Sequence, residues 1–319
     1  MFSPFFNGGY FVKRQQAFIN KNNRFLKGGL HCHTTISDGQ GDPAEVIRLH
    51  KSNGYDFLAL TDHRKYNCKN YAEDVDITII PGMEIDNTFE ADKGFRCFHE
   101  VVIGPDDETN GYKHAETFPR GKAKNQEEFQ AYIDDAHSKN NLTIYCHPQW
   151  SSTPTRYFEK LKGNFAMEIW NTGCAIECNM DTDNGYIWDE LLGRGQKIYA
   201  VATDDGHPVY QHCKGWVMVN AENNVKSILK ALENGEFYSS CGPEIRDFYV
   251  DDEGKAHVEC SECKEVVFCC DMQPSRKVVA GEEPVTNAVY DLRDDYRYIR
   301  AYVEDFEGRR AWTNPIFID

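Results

Sequence analysis

Between residues 28 and 240, short apolar runs alternate with polar stretches of helical spacing. The runs at 29–33, 57–61, 77–81, 98–103, 142–146, 165–170, 198–202 and 216–219 lack strict apolar–polar alternation, as expected of strands covered on both faces. Between them, 42–52, 125–139, 184–192 and 223–233 read as helices. The first opens with Asp42 as N-cap, Pro43 at the first helical position and Glu45 at the third, and it closes in Asn53-Gly54. Strands alternating with helices predict parallel βαβ units, hence an open α/β sheet or an α/β barrel.

After Ser240-Cys241-Gly242-Pro243 the pattern changes to alternating strands at 246–250, 257–260, 265–270, 297–303 and 310–316, separated by polar turns at 252–254 and 305–308. This predicts a small antiparallel β domain at 241–319, after an N-terminal extension at 1–27 and the α/β unit at 28–240.

Composition narrows the partners. The 319 residues carry a net charge of −16, which opposes a broad grip on long nucleic acid but allows a small anionic substrate held through bound cations. No run of 18 apolar residues marks a membrane span, and the first residues lack the cationic-then-apolar order of a signal peptide. The expectation is a cytoplasmic protein whose 12 cysteines are mostly reduced.

The histidines carry the chemistry. His31 and His33 end the first predicted strand, His63 follows Thr61-Asp62, His147 follows Cys146, and Asp204-Asp205-Gly206-His207 follows the strand at 198–202. Ligands gather at the carboxyl ends of strands in α/β folds, and His-x-His on a strand puts both rings on one face. Imidazoles and carboxylates concentrated at one rim would cost repulsion and desolvation without a cation. Cys32 and Cys146 alternate to the opposite face and are not counted as ligands. Cys260-x-x-Cys263 with Cys269 and Cys270 invites a structural zinc reading, weakened because adjacent Cys269 and Cys270 cannot share a strand face.

The runs 30–39 (LHCHTTISDG), 54–63 (GYDFLALTDH) and 81–85 (PGMEI) resemble the PHP (polymerase and histidinol phosphatase) family, as do Phe98-His99-Glu100, Cys146-His147-Pro148 and Asp205-Gly206-His207. The resemblance implies a distorted (β/α)7 barrel whose rim holds two or three divalent ions, with zinc, manganese or iron fitting the donor set. It implies that His31, His33, Glu84 and Asp205 hold one ion; Glu84, His99 and His147 a second; and Asp38, His63 and His207 a third, with His63, Asp205 and His207 in the catalytic set. Asp204 is a neighbouring alternative.

Bound ions of this kind turn water into a nucleophile near neutral pH and offset charge on phosphoryl oxygens. The implied activity is therefore a metal-dependent phosphoesterase acting on a small phosphate ester. The residues 298–305 and 311–317 also resemble the tail of carbaryl-hydrolase-type relatives, which keeps carboxyl-ester, carbamate or amide hydrolysis as an alternative. A non-catalytic scaffold is a further one. Asn171, Arg64 and Gln149 are the expected substrate contacts.

Overall fold

The computed structural model describes residues 15–16, 24–115, 117–271, 273–293 and 295–318. Most of the N-terminal extension, 1–14 and 17–23, lies outside them. The expected helices form as Pro43–Ser52, Gln126–Ser138, Gly185–Gly193 and Val225–Glu233. The side chain of Asp42 accepts from Ala44 N, Asn125 caps the second helix and Asn224 the fourth. A further helix, Thr172–Cys178, follows Asn171, which caps it by accepting from Cys174 N.

The protein is a mixed α/β structure, and its described residues form three sheets. One has five strands in the order Gly82–Ala91, Gly94–Ile103, Leu142–Tyr145, Ala166–Asn171 and Tyr199–Thr203. A ten-stranded sheet contains Phe25–Gly29, Phe57–Leu58, Thr78–Ile79, Trp216–Asn220 and Phe237–Ser240 and continues into C-terminal strands. A four-stranded sheet joins Gln15–Gln16, Ile245–Val250, Lys255–Cys263 and Val285–Asp291.

Two expectations are corrected. The barrel strands are not all parallel: Gly82–Ala91 and Gly94–Ile103 form an antiparallel hairpin, and Trp216–Asn220 runs antiparallel to both its neighbours. Nor does a continuous ladder close a barrel among the described residues. Single bridges, Cys32–Gly206 and His63–Glu84, cross the two seams between the sheets. Both seams carry side chains of the expected site. The backbone leaves regular strand geometry close by, with Asp205 at φ 47° and His147 at φ 28°.

The first strand also lies earlier than predicted, at Phe25–Gly29. His31 and His33 sit beyond its end on an extended segment held by Thr61 N to Cys32 O and His33 N to Gly206 O. Two of the apolar cores among the described residues follow this plan. One gathers Leu30, Phe57, Ile80, Val101, Ile144 and Val201 inside the α/β unit. The other packs Ile245, Phe248, Val258, Cys260, Cys263 and Phe268 between the C-terminal strands. Cys260 and Cys263 are buried in that second core, and among the described residues no metal-holding group forms around them.

The strand Arg310–Thr313 pairs with Phe237–Ser240, so the ten-stranded sheet passes without interruption across the expected boundary at 240/241. No helix among the described residues is long and apolar enough to cross a membrane.

Candidate metal centre

Glu84 is the hub. It sits on Gly82–Ala91, is 1% exposed, and directs both carboxylate oxygens into a ring of imidazoles. Its Oε2 lies 3.0 Å from His63 Nδ1, 3.2 Å from His33 Nε2 and 3.3 Å from His31 Nε2. Its Oε1 lies 2.9 Å from His99 Nδ1 and 3.4 Å from His147 Nε2. Asp205 Oδ1 meets the other side of the pair, 3.0 Å from His33 Nε2 and 3.3 Å from His31 Nε2. The two Nε2 atoms of His31 and His33 are 3.2 Å apart, as a shared face requires.

Each expected ligand therefore reaches the cluster, in three overlapping groups. His31, His33, Glu84 and Asp205 form a fully buried group. His63, Glu84 and His99 form a second. His147 shares Glu84 Oε1 but stands outside that second group. His33, Asp38, His63 and His207 form a third, near solvent, where the Asp38 side chain is 53% exposed.

The donors fit a cation. Ligand atoms about 2.1 Å from one ion at a tetrahedral angle stand about 3.4 Å apart, close to the spacings seen here. His63 Nδ1, Glu84 Oε2 and Asp205 Oδ1 are buried and have no hydrogen-bond partner, although facing ligand atoms lie 3.0–3.3 Å away. Contacts at that distance without hydrogen-bond alignment are what ligands around a common ion present.

Outer partners fix the rings. Glu168, fully buried, accepts from His31 Nδ1 at 2.6 Å, from Thr203 Oγ1 at 2.6 Å, from Asn171 Nδ2 at 2.9 Å and from His147 N at 2.7 Å. Donation from His31 Nδ1 to Glu168 leaves the Nε2 lone pair facing the cluster. His207 Nδ1 donates to Asp205 O at 2.9 Å, with the same result for its Nε2, and His147 Nδ1 is 3.0 Å from Ser151 Oγ. Sequence reading missed Glu168. Its signal is a carboxylate at the centre of the apolar run 165–170, which burial without partners would penalise.

Asp62 is similarly placed. It accepts from Thr34 N, Thr34 Oγ1, Ser37 N and Ser37 Oγ, shaping the turn that presents Asp38. Asp204 accepts from the backbone N–H groups of Cys213, Lys214 and Gly215 and is no part of the cluster.

Charge balance inside the cluster is tight. Burial pushes the Glu84 carboxyl up, but the imidazoles of His63, His31 and His99 outweigh it and hold it well below the usual carboxylate range. Burial pulls the His33 imidazole down, yet contacts with Asp205 and Glu84 raise it to about 10. The carboxylates thus draw positive charge to this volume, and a divalent cation held there would supply it in place of imidazole protons.

Of the expected substrate contacts, Asn171 is fully buried. Its amide nitrogen donates to Glu168 Oε2 and Asp205 Oδ2, so it anchors Asp205 rather than facing solvent. Gln149 is exposed and its side chain makes no hydrogen bond to the cluster among the described residues; beside it, Trp150 packs on His147 with ring centroids 4.8 Å apart. Arg64 follows His63 and contacts Asp86. Cys146 departs from expectation. The strand ends at Tyr145, alternation stops, and its sulfur comes within 4.8 Å of the His31 and Glu168 ligand atoms. Burial pushes its thiol well above the ordinary value and it donates to Ile144 O, so it stays a thiol.

An α/β chain with a buried imidazole–carboxylate cluster at its strand ends defines a class of metal-site proteins. The chain matches the PHP domain family over residues 29–239, and it belongs to that family. It is 37% identical over 68 residues to a 5'-3' exoribonuclease from Haemophilus influenzae; that stretch is 20% of this chain and a quarter of the relative's length.

Similar solved structures include the following two. One is a two-domain protein from Bacteroides vulgatus containing a predicted PHP-like metal-dependent phosphoesterase (16% identity, 93% of this chain and 95% of that one, TM-score 0.48). The other is an amidohydrolase from Chromobacterium violaceum (15% identity, 57% of this chain and 88% of that one, TM-score 0.40).

Proposed function

We propose that the cluster binds two or three divalent cations and that the protein is a metal-dependent phosphoesterase cleaving a small phosphate ester. The observation that supports this most is the trio of buried, unpartnered atoms His63 Nδ1, Glu84 Oε2 and Asp205 Oδ1, each facing other ligand atoms. In this reading His31, His33, Glu84 and Asp205 hold one ion, Glu84 with His99 and His147 a second, and Asp38, His63 and His207 a third. Imidazole and carboxylate donors suit zinc, manganese or iron. Such ions supply Lewis acidity, a lowered pKa for water and charge to offset phosphoryl oxygens.

The chain's own residues do the rest. Glu84 spans the ligand groups through its two oxygens. Glu168 keeps the His31 proton on Nδ1, and Asn171 fixes the free oxygen of Asp205. His63 and His207 are partly exposed beside Asp38, so with Asp205 they border the approach of substrate.

Elemental analysis of purified protein should find two or three transition-metal equivalents, and near-zero metal would overturn the site. A panel of phosphomonoesters, phosphodiesters, carboxyl esters and carbamates tests the bond. Turnover confined to carboxyl esters or carbamates would move the assignment to that hydrolase class. No turnover by metal-loaded protein would favour the scaffold reading. His33→Ala and Asp205→Ala should each abolish turnover.

A further inference from the structure

Two residues beyond Glu84 on the same strand, Asp86 presents its side chain to the same face, because strand side chains alternate with period two. It pairs directly across the hairpin with His99. It is 2% exposed, and it carries two guanidinium groups at once: Arg64 Nε lies 2.9 Å from Oδ1 and Arg120 Nε 2.5 Å from Oδ2. One carboxylate balances one of them, leaving a local charge of +1 in a chain of net −16.

The manner of contact is informative. An arginine often grips a carboxylate through two parallel N–H bonds, which occupy its terminal amino groups. Here both side chains meet Asp86 side-on through Nε, and among the described residues no acceptor meets their terminal amino groups. Arg64 Nε and Asp86 Oδ1 are near but not aligned as a hydrogen bond. The side chains of Arg64 and Arg120 are 38% and 63% exposed.

The backbone that carries them is fixed. Phe118 N donates to Arg64 O and Gly121 N to Asp86 O. Asn87, fully buried, donates to Ala123 O and accepts from Ala123 N, clamping the segment after Arg120 to the strand. Gly121 is needed there, since a Cβ would stand 2.7 Å from the Asn87 side chain.

We propose that Arg64 and Arg120, held on Asp86, form a recognition clamp for a second anionic group on the substrate, beyond the phosphoryl group bound at the cluster. The proposal rests on the phosphoesterase reading for the first group only. Two strand residues span about 6.7 Å, so the substrate is a phosphate ester whose leaving part carries a carboxylate or second phosphate several bonds from the ester phosphorus. Neutral leaving groups leave the clamp empty.

Calorimetric titration of the metal-loaded protein with two non-hydrolysable probes tests this. The probes are 5-phosphonopentanoate and pentylphosphonate, which differ by the terminal carboxylate. Wild type should bind the former about tenfold more tightly or better, as expected for a charge-assisted contact. Arg120→Gln should reduce that preference to about threefold or less, Arg64→Gln should do likewise, and Arg120→Lys should restore part of it. Equal affinity of wild type for the two probes, or a preference untouched by Arg120→Gln, overturns the clamp. Repeating the comparison with 1,5-pentanebisphosphonate separates a phosphate from a carboxylate as the second group. Turnover of the panel of phosphomonoesters and phosphodiesters is measured separately. Probe preference without turnover sinks the phosphoesterase reading and keeps the clamp, whereas turnover without preference does the reverse.

Discussion

A single buried carboxylate, Glu168, organises more of the cluster than any one ligand except Glu84. It accepts hydrogen bonds from His31 Nδ1, the backbone N–H of His147 and the amide of Asn171, which in turn holds Asp205. Replacing such an outer partner typically costs 10–100-fold in metal affinity. Glu168→Gln should therefore weaken metal binding by about 10–100-fold in a chelator competition while the fold, followed by circular dichroism, persists.

A second residue-scale prediction concerns the buried pair His50 and His212, whose rings meet edge to face 5.3 Å apart. Burial pushes His50 down to about 4 and His212 to about 3. Both folded values lie below the unfolded value near 6.5, so the unfolded chain takes up protons first. Stability is then lost as pH falls from about 6.5 towards 4. Thermal melts should show this acid slope in the wild type, and His50→Leu should make it shallower.

Among elements, the hairpin Gly82–Ala91/Gly94–Ile103 decides where Glu84, Asp86 and His99 stand relative to one another. The sequence-based reading predicts only part of its second strand, at 98–103. The turn explains the oversight: Asp92 and Lys93 both adopt positive φ, 51° and 60°, and neither of these two positions is a glycine. A lysine in that region is strained, so Lys93→Gly should stabilise the protein by about 1 kcal/mol in urea unfolding. Asp92 is retained in that test because it accepts from Arg156 and Tyr157 across the hairpin tip. The helices, by contrast, are read closely from caps and spacing, because Asp42, Asn125 and Asn224 act through local hydrogen bonds.

At the scale of the whole molecule, the C-terminal strands are tied to the α/β unit by more than the chain. Ser240 pairs with Ala311, Trp312 stacks near Trp170, and Asn314 reaches Ala200 N, Gly235 O and Phe237 O. Arg300 on Tyr298–Glu304 grips Asp189 of the helix Gly185–Gly193 with both groups buried. Breaking a buried pair strands the surviving charge. Asp189→Ala should thus destabilise by about 3 kcal/mol, seen as a shifted urea midpoint. Removing 241–319 should uncover the edge of Phe237–Ser240 and yield aggregated protein in size-exclusion chromatography.

Local chemistry made the ligand types readable without coordinates. His-x-His spacing, strand-end histidines and a proline-led helix start are properties of a few neighbouring residues, and so were the change to antiparallel texture after 240 and the resemblance that ordered the motifs. Tertiary structure decided the rest. Glu168 gains its role only when the segments that follow two other strands bring His31 and His147 to it, beside Asn171 of its own strand. Cys146 turns towards the cluster because its strand ends one residue early. Asp86 holds two arginines because Arg64 and Arg120, 56 positions apart by their numbers, are brought to one carboxylate by a hairpin and a pinned loop. Sequence fixes which groups can ionise or coordinate. Which of them share a buried volume, and so which charges must be balanced together, depends on contacts between distant segments that no local pattern encodes.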